Sequence, residues 1–165
     1  MEGLQEGDVV GTAVLAWAAH RHLVADAIRE LFSWLESRRV EVWLVSASNR
    51  WAIETAGAEL GVPPARVIAM AVDVVDGRLG GAVHRPLCNG AGKAELILDR
   101  IGVVPLLAVG NSRHDVAMLE QAESGVVVRL SGEEGTLPPR CATLREAARV
   151  RGWPEFDLGW DVEAP

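Results

Sequence analysis

Three short polar clusters stand out among the 165 residues, because each follows an apolar run and carries groups that suit an anion or a hard cation. Ser46, with Ala47 and Ser48 behind it, follows "VWLV". A hydroxyl with free backbone N–H groups just ahead of a helix is a natural anion site. Ser and Asn are also favoured N-caps whatever a protein does, so an ordinary cap explains this cluster taken alone. Lys93 opens a helix after "NGAG". An ammonium in a first turn opposes the helix macrodipole, and a nearby anion would offset that cost. The plain alternative is a solvated lysine. A Walker loop is excluded, because Ala94 stands where Ser or Thr should hold magnesium and the earlier glycine is missing. In "AVGNSRHDVAML", Asn111 and Asp115 follow "LLAV", and Asp115 begins the next helix. An amide oxygen and a carboxylate at a strand tip are hard ligands of the kind magnesium takes, although Asp115 could equally be a cap.

The elements that must hold these clusters are legible as periodicity. Ile28, Leu31, Phe32 and Leu35 recur at helical spacing from Ala25, and Arg38 and Arg39 suit a helix C-terminus. "VEVWLV", from Val40 to Val45, reads as a strand covered on both faces. A helix over Trp51–Leu60 is stopped by Gly61, Pro63 and Pro64. "RVIAMAV" reads as a second buried strand, and "DVVDGRLGGAV" as a hairpin turning at Asp76 and Gly77. Ala94, Ile97, Leu98 and Ile101 mark another helix, followed by the strand "VVPLLAV", a helix over Val116–Glu123 and the strand "GVVVRL". Beyond Ser131, "GEEGTLPPR" reads as a loop, Thr143–Arg151 as a short helix and "GWPEFDLGWDVEAP" as an irregular tail pinned by Trp153 or Trp160. Alternating strands and helices predict a parallel sheet wrapped by helices, whose ligands sit beyond the C-terminal ends of the strands. All three polar clusters fall at that edge.

Composition narrows the function classes. A formal charge of -7 with scattered Lys and Arg excludes a basic nucleic-acid footprint. Cys88 and Cys141 have no Cys or His at ligand spacing, so the sequence indicates neither a zinc site nor a disulfide framework and fits a reducing cytoplasm. Val9–Ala19 is too short to span a bilayer, and the acidic "MEGLQEGD" is the wrong flank for a signal peptide.

The serine after a buried strand, the lysine opening a helix and "GNSRHDVAML" after another strand resemble, in that order, the haloacid dehalogenase superfamily of phosphohydrolases. With "VWLVSASN", "DGRLGG" and "GAGKAELI", the likeness runs from about Ala25 to Val128 and looks closest to the phosphoserine and phosphorylcholine phosphatase-like subgroup. The resemblance implies an α/β Rossmann-like parallel sheet with helices on both faces. It implies a magnesium-dependent phosphomonoester hydrolase acting on a small phosphorylated metabolite such as phosphoserine or phosphocholine. Ser46 looks like the hydroxyl that hydrogen-bonds the phosphoryl oxygens, assisted by Ala47 and Ser48. Lys93 looks like the cation holding phosphate and nucleophile together, and Asn111 and Asp115 look like the pair around Mg2+.

The chain departs from the family pattern twice. Asn111 stands where the family usually has Asp, which removes one negative charge from the metal site while keeping an oxygen ligand, so the expectation is weaker or retuned magnesium binding before none. The family's nucleophile, an aspartate in a D-x-D-x-T signature at the end of a first strand, has no counterpart. The nearest candidate is "DVVGT", Asp8–Thr12, with Val10 at the position of the second Asp. On this reading residues 1–24 are a remnant of a helical cap or linker, 25–152 the core and 153–165 the tail, with the first strand and most of the cap missing. The unpaired sheet edges then pair with each other, or take up another segment or chain. The alternative function is a catalytically inactive pseudophosphatase that keeps the phosphate cradle as a binding or interaction module. A response-regulator-like receiver lacks support, because no acidic cluster ends an early strand.

Overall fold

Helix and strand alternate along most of the chain, as the apolar periodicity requires. The computed structural model describes residues 2–129 and 139–157. They divide into two units, Met1–Cys88 and Asn89–Pro165.

The first unit opens with α1 (Glu6–His20) and α2 (Asp26–Ser37), then β1 (Leu44–Asn49), α3 (Arg50–Glu59), β2 (Val67–Met70) and the hairpin β3 (Val72–Val75) and β4 (Arg78–Val83). β1 and β2 run parallel, with Leu44 opposite Val67 and Val45 opposite Ile68. The hairpin turns at Asp76 and Gly77, both at positive φ (50° and 73°), the combination that a two-residue turn matching strand twist needs. α1 is apolar around most of its circumference. One side of it, Val9 and Ala13, packs against Trp51, Leu79, Val72 and Val74. Residues ahead of α1 run beside β4, with the Gly3 N–H donating to Leu79 O at 2.8 Å and the Leu79 N–H to Leu4 O at 2.9 Å.

The second unit comprises α4 (Ala91–Ile101), β5 (Leu107–Gly110), α5 (Val116–Gln121), β6 (Ser124–Arg129), α6 (Pro139–Arg151) and β7 (Glu155–Asp157). Its sheet is parallel in the order β5-β6-β7, and Ile97, Leu119, Val127 and Leu144 are its largest fully buried side chains. α4 stops at Gly102, in the left-handed conformation with φ 75° that ends helices when Gly occupies it.

Several boundaries differ from the sequence reading: β5 starts at Leu107 and not at Val103, "RVIAMAV" divides between β2 and β3, and α5 ends at Gln121. The first strand starts at Leu44 instead of Val40 and runs through Ser46, because its partner β2 begins only at Val67, opposite Leu44, and residues 40–43 have no ladder to join. The tail is not wholly irregular: Glu155–Asp157 adds to β6 as a third parallel strand, and Trp153 packs over Gly125. α6 begins at Pro139, taking in the end of the expected 132–140 loop. The rest of that loop, and Trp160, lie outside the described residues. Among the described residues, no helix is long and apolar enough to cross a membrane.

Candidate functional site

In the second unit, an apolar strand and a helix N-terminus bring two opposite charges together in the interior. β5 delivers the chain to Gly110, and α4 begins after Gly90, whose φ of 55° and ψ of -128° lie in a region open to glycine. Lys93 in the first turn of α4 is only 6% exposed and Asp115 only 4%. The Lys93 Nζ donates to Asp115 Oδ1 at 2.6 Å. The other carboxylate oxygen, Oδ2, accepts from the Asn111 N–H at 3.1 Å, the Ser112 N–H at 2.9 Å and the Ser112 Oγ–H at 3.0 Å. An unfavourable lysine in a helix's positive end is thus compensated by a buried carboxylate, which itself organises the loop leaving β5.

Two members of this arrangement escaped the sequence reading. Ser112 forms a reciprocal capping box with Asp115, and the S-x-x-D spacing was the available signal. Gly110 is required by close approach, since a Cβ there would lie 2.6 Å from Asp115 Cβ. The Asn111 side chain is exposed and contributes no hydrogen bond to the cluster, whose Asn111 bond comes from the backbone. Arg113 is exposed, and its Nε reaches the half-buried His114 at 3.4 Å.

In the first unit, Ser46 sits in β1, half-buried, and the chain around it leaves the regular ladder. The four steps from Val45 to Asn49 match only two on β2, from Ile68 to Met70. Ser46, Ala47 and Ser48 therefore form a bulge, a device that re-aims side chains and frees backbone groups. Ser46 Oγ accepts from the Ser48 N–H at 3.1 Å, leaving its hydroxyl hydrogen to donate elsewhere. The helix cap is Asn49, whose Oδ1 accepts from the Ala52 N–H at 3.0 Å. Ser46 is accordingly not the cap of α3; capping falls to Asn49 of the same cluster, and the Ser46 hydroxyl closes a local turn onto Ser48.

Other residues of chemically versatile type take structural places. Asp8 lies exposed in the first turn of α1, not at the end of a strand, which removes the geometry a family-type nucleophile would need. Trp51 is 4% exposed, donates from Nε1 to Glu6 Oε1 at 2.9 Å and has the Arg50 guanidinium over its ring, so the ring face is closed to an ammonium ligand. His84 pairs with Asp73 across the hairpin at 2.8 Å, and His20 bonds Ala16 O within its own helix. The structure brings together Lys93, Asp115 and the Asn111 backbone, all in the second unit. Ser46 belongs to the first unit.

A parallel α/β arrangement with a buried lysine and carboxylate paired at a strand tip is what the geometry shows. The chain belongs to the haloacid dehalogenase-like hydrolase family, whose model matches residues 1–120. Comparison with curated protein sequences finds no match. Among solved structures, the chain is similar to a protein of unknown function from Bordetella pertussis Tohama I, with 23% identity, TM-score 0.62, and 79% of this chain and 56% of that one covered. A phosphoserine phosphohydrolase-like protein from Francisella tularensis subsp. tularensis SCHU S4 matches at 17% identity and TM-score 0.53, covering 74% of this chain and 62% of that chain. A functionally unknown protein from Anaerococcus prevotii DSM 20548 matches at 16% identity and TM-score 0.72 over 94% of this chain and 50% of that one. At these identities the likeness is one of fold, and the chain spans between half and three-fifths of the neighbours' length.

Proposed function

We propose that this chain carries the phosphate-recognition half of a phosphomonoester hydrolase acting on a small phosphorylated metabolite such as phosphoserine or phosphocholine. The observation behind this reading is the buried Lys93–Asp115 pair at the tip of β5. Burying an ammonium on a helix's positive end is costly, and the cost is understandable if the cation must be held in one position for a ligand of opposite charge. Phosphoryl transfer spreads charge over the equatorial oxygens, so catalysis is mostly positioning plus stabilisation by cations and N–H donors. In this reading Lys93 supplies the cation and Asp115 holds it in place, while Ser46, with the backbone of Ala47 and Ser48, is a separate candidate phosphate donor within the first unit. The phosphoserine phosphohydrolase-like neighbour supports the substrate class.

The 165 residues contain no D-x-D-x-T run, so the attacking carboxylate of the family reaction is proposed to come from another segment or chain. That carboxylate would attack phosphorus, the ester P–O bond would break, and the departing alkoxide would take a proton. Water would then cleave the aspartyl-phosphate. A second reading is favoured by the site itself: Asp8 is on a helix and Asp115 is fully engaged, so the chain alone is a phosphate-binding module without turnover.

One experiment tests both. Inorganic phosphate binding is followed by 31P NMR for the chain and for Lys93→Met, and p-nitrophenyl phosphate turnover is measured for the chain alone and with an apolar strand segment ending in D-x-D-x-T placed ahead of it. Lys93-dependent binding with turnover only in the extended form supports the hydrolase. Binding with no turnover in either form supports the binding module, and absence of phosphate binding rejects both.

A further inference from the structure

The loop leaving β5 holds Asn111 and Asp115, the pair that the family resemblance assigns to magnesium, and its donor set does not fit that ion. Magnesium demands a near-octahedral oxygen shell, keeps several waters, and is held through one or two carboxylates. An ionised carboxylate has about four lone-pair sites. Asp115 receives four donors, unevenly shared: the Lys93 ammonium at 2.6 Å on Oδ1, which keeps a second lone pair, and the Asn111 N–H, Ser112 N–H and Ser112 hydroxyl at 3.1, 2.9 and 3.0 Å on Oδ2. A cation on Oδ1 would stand beside the ammonium and be repelled by it. One on Oδ2 would displace the donors that shape the loop. Asp115 is only 4% exposed, so an ion that reached it would have to shed much of the hydration shell that magnesium keeps. Asn111 adds a neutral amide, and among the described residues no three His, Cys, Asp or Glu side chains gather as metal ligands. Lys93 already neutralises the Asp115 carboxylate, so the buried pair offers a cation no net negative charge.

We infer that the Gly110–Asp115 loop of this chain is not a divalent-cation site: Asp115 is the buried counter-charge of Lys93 and the anchor of the loop, and whatever binds there does so without a metal supplied by these residues. The inference stands whether or not the phosphatase reading holds. Its consequence for that reading is that phosphate binding to this chain does not depend on magnesium.

The test uses Mn2+ as a spectroscopic probe of the unaltered chain. Titration followed by electron paramagnetic resonance is expected to show no saturable binding at millimolar Mn2+. Saturable binding that Asn111→Ala abolishes would overturn the inference. Thermal unfolding separates anchor from ligand: Asp115→Asn is expected to lower the melting temperature equally in EDTA and in millimolar Mg2+, with Lys93→Met/Asp115→Leu recovering part of the loss seen in Lys93→Met. A Mg2+-dependent stabilisation present in the unaltered chain and absent from Asp115→Asn would overturn it. Phosphate binding measured by 31P NMR is expected to be the same in EDTA and in Mg2+. Binding that requires Mg2+ overturns the inference, whereas no binding in either condition rejects the phosphatase reading and leaves the Mn2+ result to decide this one.

Discussion

Gly110 constrains the Asp115 cluster through its backbone alone. Its backbone passes so close to Asp115 that a methyl group would sit 2.6 Å from Cβ and 3.1 Å from Cγ of that side chain. Contacts that short force the loop or the carboxylate to move, and moving either breaks bonds that share Asp115 Oδ2. Gly110→Ala is expected to destabilise the chain by about 1–3 kcal/mol, the usual range for overpacking. It is also expected to weaken phosphate binding. Urea denaturation reads the first effect and 31P NMR the second; an unchanged unfolding midpoint would show that the loop yields freely. The chemistry of Lys93 and Asp115 was legible because each type is misplaced or overqualified for its local position: a lysine in a first turn, a carboxylate at a strand tip. Their pairing was not, since 22 positions separate them and only packing decides that they meet. Gly110 was illegible for a related reason, because a glycine before Asn reads as a turn signal until the third dimension shows what lies against it.

At the level of elements, two carboxylates fasten α1 to the rest of its unit. Glu6 accepts from both Trp51 Nε1 and Arg50 Nη2 at 2.9 Å. Glu59, in α3, accepts from Trp17 Nε1 and Arg29 Nη1 at 2.8 Å each, with the Arg21 guanidinium at 3.3 Å. The Trp17 hydrogen bond, then that from Arg29, hold the Glu59 carboxyl below its ordinary 4.5, against a smaller opposing effect of burial. The Trp51 bond, followed by the Arg50 bond, does the same for Glu6. A carboxylate with a depressed folded-state pKa contributes stability that is present above its unfolded value and lost as pH falls through the folded one. Glu59→Gln is therefore expected to lower the melting temperature at neutral pH, and the gap from the unaltered chain should close below pH 4.5 as Glu59 protonates. A gap constant from pH 7 to pH 3 would show that the pair contributes shape and no charge. α2 was readable from its stripe of Ile28, Leu31, Phe32 and Leu35, since a single exposed helix writes its periodicity plainly. β7 was hidden because Glu-Phe-Asp has neither the length nor the apolar alternation of a strand; it exists because β6 offers it an edge.

At the scale of the whole molecule, among the described residues the parallel sheet of the second unit ends at β5, whose one hydrogen-bonded neighbour there is β6. Parallel strands are ordinarily buried on both faces, and the sequence of β5 has that character. Yet only Ala108 is buried there, while Leu107 is 48% and Val109 39% exposed, with Leu106 beside them at 72%. An apolar edge strand with open N–H and C=O groups is a template for pairing with another chain. A run as apolar as "VVPLLAV" is written for an interior position. The chain is accordingly expected to self-associate with rising concentration, measurable by light scattering coupled to size exclusion. Leu107→Lys places a charge on the exposed side of that strand, the means by which natural edge strands resist pairing. As a surface change it should alter folding stability by no more than about 0.5 kcal/mol. It should shift the population toward monomer, and an association unchanged by Leu107→Lys would mean that chains meet through a surface other than β5. Adding a strand segment ending in D-x-D-x-T should compete with self-association if both occupy this edge, since one strand offers a single free set of backbone partners. Competition would thus connect the aggregation behaviour of the chain to its proposed catalytic completion, and its absence would separate the two.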